Sequence, residues 1–195
     1  MAKKLVITGF SRSGTTALTD LLNLDPRIKI TYEKRSFTDG RTNRRRKWDD
    51  RNAALSLMKK DPIYTGDKAT RPYLRDFGQI LQSTDKIILC LRDPRDIFRS
   101  KYWKLIKEDP IKMYIELMGN ILKQDLSNVL MIWYEDAVMD IDQLSINIHK
   151  YLQLDEPLDI AGHNYKPVRR FGWFKKMNHT VPTDVYNIMT EFGYT

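Results

Sequence analysis

The amino-acid sequence predicts an α/β protein, a three-layer fold with a mostly parallel sheet flanked by helices. Three observations point there. Apolar runs at Leu5-Val6-Ile7, Lys86-Ile87-Ile88-Leu89-Cys90-Leu91 and Val129-Leu130-Met131-Ile132-Trp133-Tyr134 read as strands buried on both faces. Segments with apolar residues at helical spacing separate them, so strand and helix alternate along the chain. Each strand also ends in charged residues, which collects Arg12, Glu33, Asp67, Lys68, Arg92 and Glu135 at the carboxyl edge of the sheet, the side where ligands sit in open α/β folds.

The first strand runs into Gly9-Phe10-Ser11-Arg12-Ser13-Gly14, a loop rich in small residues. Residues 15–23 follow as a helix, with Ala17, Leu18, Leu21 and Leu22 at helical spacing. A strand, a small-residue loop and a helix N-terminus make an anion cradle, because unpaired N–H groups and the positive end of the helix dipole converge there. The spacing Gly9-x4-Gly14-Thr15-Thr16 is one residue away from a triphosphate-binding P-loop, which carries Lys where Thr15 stands. Here the cation is Arg12, inside the loop. That change leaves three readings: a kinase or triphosphatase without its lysine, a cradle for a different phosphate-like group, or a tight strand-to-helix turn.

Asp25-Pro26 breaks the first helix, and Ile28-Lys29-Ile30-Thr31-Tyr32 alternates like a strand ending at Glu33. A basic loop or insertion at about residues 34–51 follows, and within 41–51 Arg41, Arg44, Arg45, Arg46, Lys47 and Arg51 stand against Asp49 and Asp50. It reads either as a solvated loop or as an anion-receiving lip on a cleft. A helix is predicted over 50–59, then a strand through Ile63-Tyr64-Thr65 ending in Gly66-Asp67-Lys68. Pro72 suits the first turn of a helix over 73–82, with Leu74, Phe77 and Leu81 on one face. The strand at 86–91 leads into Arg92-Asp93-Pro94-Arg95-Asp96-Ile97-Phe98-Arg99-Ser100, where a helix starts near Pro94 and carries on past Trp103. Further helices are predicted over 110–124, over 141–152 with Leu144, Ile148, Tyr151 and Leu152 inward, and over 182–192. Arg92 at a strand end and Ser100 in the next helix can grip one phosphate, the arginine through paired N–H donors. The alternative is that Arg92 pairs with Asp93 or Asp96 and Ser100 is an ordinary helix residue.

At 195 residues, 42% apolar and 30% charged, the chain suits a single domain, 1–195, with a proper core. No apolar run reaches the length of a membrane span, and no signal-peptide core follows the opening lysines. The single cysteine, Cys90, excludes an internal disulfide framework and fits a reducing, cytoplasmic setting. A formal charge of +8 implies anionic company: nucleotide, sulfated or phosphorylated substrate, nucleic acid or a membrane surface. His149 falls inside a late helix and reads as structural, and His163 and His179 have no metal-ligand spacing.

Taken together, the stretches resemble one family. Gly9-Phe10-Ser11-Arg12-Ser13-Gly14-Thr15-Thr16 resembles the 5′-phosphosulfate loop of sulfotransferases. Arg92 through Tyr102 resembles their 3′-phosphate motif, Trp133-Tyr134-Glu135-Asp136 their strand-end sequence, and Gly172-Trp173 with Phe192-Gly193-Tyr194 their C-terminal segment. The resemblance implies a P-loop-like sulfotransferase fold that binds 3′-phosphoadenosine 5′-phosphosulfate (PAPS) and transfers its sulfuryl group to a hydroxyl or amine. It further implies that Arg12, Ser13, Gly14, Thr15 and Thr16 hold the 5′-phosphosulfate and that Arg92 and Ser100 hold the 3′-phosphate. Arg169, Arg170 and Gly172 lie where the family closes a loop over the nucleotide, although the familiar Arg-Lys-Gly-x-x-Gly pattern is absent.

In such an enzyme Arg12, the loop amides and Lys68 suit the charge that grows on the departing nucleotide during in-line displacement. No metal is required in principle, and no acidic residue ends the strand at Leu89-Cys90-Leu91 where a magnesium ligand might be sought. Glu33 is the first candidate for general base and Asp67 the second, with simple pairing of Glu33 to Lys34 or Arg35 as the alternative. Tyr102, Trp103 and Trp173 are either adenine-stacking rings or core. The expected partner is a small-molecule or carbohydrate acceptor, with the basic segment favouring an acidic one; no nucleic acid is expected. The competing functions are a nucleotide kinase or triphosphatase with a variant P-loop, and a non-catalytic basic module for nucleotide or nucleic acid.

Overall fold

Five parallel strands in one sheet form the centre of the computed structural model, which describes residues 1–32, 61–106, 108–158 and 181–194. They are β1 (Lys3–Gly9), β2 (Ile28–Tyr32), β3 (Tyr64–Lys68), β4 (Lys86–Leu91) and β5 (Val129–Trp133), in the order β2-β3-β1-β4-β5. Every adjacent pair is parallel. From β1 the chain crosses to the edge strand β2, comes back inward to β3 beside β1, then passes to the other side of β1 for β4 and β5. The strand order therefore reverses between β1 and β4, and ligands of open α/β sheets bind outside the carboxyl ends of the strands at such a point.

The pleat sends alternate side chains to two cores. Leu5, Ile7, Ile88 and Cys90 face one side and pack with α1 (Thr15–Leu22) and, through Leu144, Ile148 and Leu152, with the later helix α8 (Ile141–Leu152). Val6, Ile87, Leu89 and Leu91 face the other. There they meet α2 (Arg71–Arg75), α3 (Phe77–Ser83), α6 (Pro110–Ile121) and α9 (Thr183–Glu191). Asp109 accepts from the Ile111 and Lys112 N–H groups ahead of Pro110, and Asp140 accepts from Gln143, so α6 and α8 each begin on a carboxylate cap.

Several boundaries differ from the sequence expectation, each for a local reason. The helix expected over 73–82 is two helices, because Asp76 leaves helical geometry (φ −101°, ψ 26°) and α3 restarts on its carbonyl. Ile80 is buried there where Leu81 was expected; Leu81 packs only partly against that core. The helix expected from Pro94 past Trp103 divides into α4 (Pro94–Phe98) and α5 (Lys101–Ile106). At the break Ser100 Oγ accepts from the Tyr102 N–H, and the Trp103 indole donates to the Ile97 carbonyl at 2.7 Å. Tyr134 opens the short helix α7 (Tyr134–Met139) and does not extend β5. The helices at 110–124 and 182–192 are present with shorter bounds, and 141–152 is present as expected. The predicted helix at 50–59 and the basic segment at 34–51 lie outside the described residues.

Gly66 lies in register with Leu5, and a Cβ on it would overlap the Leu5 carbonyl oxygen. Only a strand without a side chain there fits this close against β1. Gly66→Ala is therefore expected to lower folding stability by about 3 kcal/mol, read from the midpoint of urea unfolding. A loss of a few tenths would mean the two strands separate freely at this point.

Candidate functional site

The loop between β1 and α1 is held from three sides. Gly9 pairs with Cys90 of β4, and a Cβ on Gly9 would overlap the Cys90 carbonyl oxygen. Phe10 turns into the core, where its ring stacks on Trp103 at 5.4 Å and meets the edge of Tyr114 at 5.2 Å. The Ser13 N–H closes a turn by donating to the Phe10 carbonyl at 3.0 Å. Arg12 and Gly14 both take positive φ, 81° and 94°. At Gly14 a side chain is doubly excluded, because a Cβ would lie 2.5 Å from Cδ2 of Tyr134. Thr15 and Thr16 then open α1, with Thr15 buried and Thr16 half-buried.

Arg92 approaches this loop from the end of β4. Its guanidinium lies 4.4 Å over the Tyr134 ring, which stands between it and Gly14. Nη1 donates to the Arg12 carbonyl at 3.3 Å, and Nη2 pairs with Asp96 at 3.2 Å. Pairing with Asp93 or Asp96 was the alternative the sequence left open to a phosphate grip, and the partner is Asp96. Two donors at the junction are buried with no hydrogen-bond partner among the described residues: Ser13 Oγ and Arg92 Nε. Arg95, by contrast, is fully engaged, its guanidinium held by Asp93 at 2.5 and 2.9 Å. That pair raises the arginine pKa, chiefly through the hydrogen bonds to Asp93.

Two more strand-end residues sit on the other side of β1. Lys68 ends β3 in register with Ile7 and Tyr32 and is 2% exposed. Burial pushes the Cys90 thiol up to about 12, and the positive charge of Lys68 acts against that rise. Asp67 accepts hydrogen bonds from Thr31 Oγ1 at 3.1 Å, Tyr73 Oη at 3.0 Å and the Lys68 N–H at 2.9 Å, among other interactions. The contacts of Ser100 run to Ile97, Tyr102 and Trp103 within its own turn. Trp103 is core, 5% exposed, and Tyr102 packs edge-on against it while accepting from Arg71. Glu33, Arg169, Arg170, Gly172 and Trp173 lie outside the described residues, as do His163 and His179. Among the described residues no group of three or more His, Cys, Asp or Glu could hold a metal ion, and no helix is long and apolar enough to cross a membrane.

Sequence reasoning passed over two residues that the fold makes central. Tyr134 was read only as a strand end; the contact with Gly14 and Arg92 needs the tertiary fold to be seen. Glu135 entered the sequence reading as a strand-end charge and as part of the family-like stretch at 133–136, with no role of its own. It accepts from the Asp93 N–H at 2.9 Å and from Tyr194 Oη at 3.0 Å. Burial raises its pKa, aided by the nearby Asp93 charge and opposed by those hydrogen bonds. Burial, with Glu135 alongside, also raises the Tyr194 pKa.

With this geometry in view, the comparisons with known proteins bear on one family. A family model described as sulfotransferase domain matches residues 2–182. The chain belongs to the sulfotransferase domain family. Among solved structures, the sulfotransferase domain from the Synechococcus PCC 7002 olefin synthase superposes with a TM-score of 0.62 at 16% identity, covering 100% of this chain and 96% of that one. The sulfotransferase domain from the curacin biosynthetic pathway gives 0.63 at 14% identity, covering 100% and 99%. At such identities these likenesses speak to the fold. No curated protein matches the chain in sequence.

The burial of Glu135 has a measurable consequence for this sulfotransferase domain. The folded chain keeps the Glu135 proton to higher pH than the unfolded chain, whose carboxyl titrates near the ordinary 4.5. The folded state thus binds more protons between 4.5 and its raised value, and stability declines as pH rises through that interval. Glu135→Gln is expected to flatten the decline in urea-unfolding free energy across the interval. An unchanged slope would assign the effect to another group.

Proposed function

We propose that this domain transfers a sulfuryl group from PAPS to a hydroxyl or amine of a small-molecule or carbohydrate acceptor. The observation that supports it most is the pair of donors without a partner among the described residues where the two loops meet, Ser13 Oγ and Arg92 Nε. Leaving a buried donor unmet costs about 1–3 kcal/mol, which a bound anion removes. The Gly14 turn, too close to Tyr134 for a side chain, leaves the backbone of the cradle open to such a group. The residues present therefore fit a ligand with two anionic ends.

When bound, PAPS supplies the sulfuryl group and departs as adenosine 3′,5′-bisphosphate. Arg12, Ser13, Gly14, Thr15 and Thr16 hold the 5′ end and Arg92 the 3′ end. Ser100 joins Arg92 in this reading as the family motif implies, through a hydroxyl that caps its own turn here. Arg169, Arg170 and Gly172 are assigned to the nucleotide only by the family resemblance. Arg12, which is exposed, and the buried Lys68 supply positive charge where negative charge grows. Asp67, already accepting from Thr31, Tyr73 and the Lys68 N–H, suits a fixed negative charge that steadies the β3 end better than it suits proton transfer. Glu33 therefore stays the first choice for the base that takes the acceptor proton. No metal enters this chemistry, and a cytoplasmic setting suits it.

Thermal unfolding with adenosine 3′,5′-bisphosphate, beside ATP as control, tests the reading. At a hundred times the dissociation constant the ligand adds about 2.7 kcal/mol, a rise of roughly 5–11 °C for a chain of this size. The rise is expected with the bisphosphate alone, to vanish in Arg92→Ala and to need about five-fold more ligand in Ser13→Ala. No rise, or a rise with ATP only, would overturn the sulfotransferase reading, the latter in favour of a nucleotide kinase.

A further inference from the structure

We propose that Glu135 and Tyr194 are positioning residues for Arg92, through which the C-terminal residues 192–194 set how tightly the protein holds a 3′-phosphate. The proposal rests on the reading that Arg92 meets that phosphate. Arg92 is poorly fixed by its own donors: its two hydrogen bonds are long, 3.3 and 3.2 Å, and Nε has none among the described residues. What fixes it is the Tyr134 ring beneath it and the backbone that carries it.

That backbone is held by an acceptor from another element. Glu135 Oε1 takes the Asp93 N–H at 2.9 Å, one residue beyond Arg92. The Asp93 carboxylate is committed elsewhere, capping α4 through the Arg95 N–H at 2.8 Å and gripping the Arg95 side chain. The other oxygen of Glu135 accepts from Tyr194 Oη at 3.0 Å. Tyr194 in turn is brought there by a second clamp, the Trp133 indole donating to the Phe192 carbonyl at 2.9 Å. The line runs from the tail through Glu135 to the Arg92 loop, and each step is a buried or half-buried hydrogen bond.

The physical role of Tyr194 follows from where Glu135 sits. A carboxylate largely removed from water, with Asp93 beside it, stays in place only if donors meet its oxygens. Without the Tyr194 hydroxyl, Glu135 reorients toward water and releases the Asp93 N–H. The loop carrying Arg92 then samples more positions, and the grip on a 3′-phosphate weakens while the cradle at Arg12 to Thr16 is untouched.

The experiment is titration calorimetry on the full chain with two ligands, adenosine 3′,5′-bisphosphate and adenosine 5′-phosphate. Their affinity ratio isolates the 3′-phosphate grip from general loss of fold. Tyr194→Phe is expected to weaken the bisphosphate by about five-fold and leave the 5′-phosphate unchanged. Glu135→Ala weakens the bisphosphate further, and Glu135→Gln, whose amide oxygen still accepts from Asp93, restores most of the ratio. The double variant Tyr194→Phe/Glu135→Ala is no weaker than Glu135→Ala alone, because Tyr194 acts through Glu135. Equal weakening of both ligands, no weakening of either, or additive losses would overturn the proposal. Should Glu135→Ala fail to fold, Tyr194→Phe decides alone, since it removes a single hydroxyl. A wild-type chain with no preference for the bisphosphate, or a preference that survives Arg92→Ala, would instead overturn the donor-site reading and this proposal with it.

Discussion

At the point where the strand order reverses, Gly9 of β1 stands opposite Cys90 of β4, with no room between them for a side chain. That close pairing brings the ends of the two central strands to the same height. The loops that leave them, one carrying Arg12 and Ser13 and the other Arg92, can then converge within a few residues. Were the strands separated by a side chain at Gly9, the Arg92 guanidinium could not reach the Arg12 carbonyl. The close approach of the two loops depends on that one contact more than on any charge.

Aromatic rings then turn proximity into geometry. Phe10 buries its ring against Trp103 and Tyr114, so the loop cannot lift from the sheet without exposing a large apolar surface. Tyr134 fills the space between Gly14 and Arg92, and a cation over a ring contributes about 0.5–2 kcal/mol depending on its desolvation. The polar groups are thus placed by apolar packing. The two hydrogen bonds of the Arg92 guanidinium are long, 3.3 and 3.2 Å, so the ring beneath it matters more to its place.

Much of the fold was legible because the local signals are strong. The apolar runs at 5–7 and 87–91 are buried on both faces, whereas the run at 129–133, expected to be so too, is the edge strand β5 with Leu130, Met131 and Trp133 only half-buried. The capped, strongly periodic helix at 141–152 was also legible to the residue. The breaks at Asp76 and Ser100 were not, because they depend on side chains such as Trp103 meeting carbonyls that a linear pattern does not pair. The cradle itself was legible from glycine spacing, and Arg92 from its place after a strand. Tyr134 was passed over because its role depends on a neighbour 120 residues earlier in the chain, Gly14.

By itself the sequence determined the alternation of strand and helix, the small-residue loop with its internal arginine, and the gathering of charges at strand ends. These are local properties: periodicity, turn chemistry and the absence of a P-loop lysine are written within a few residues of each other. The tertiary structure decided which of those charges serve each other. It engaged Arg95 with Asp93 and left Arg92 Nε without a partner among the described residues, and it bonded Asp67 to Thr31, Tyr73 and the Lys68 N–H. It also joined Glu135 to both Asp93 and Tyr194. Hydrogen bonds act over about 3 Å and are indifferent to sequence distance, so only the folded chain could say which donors were satisfied.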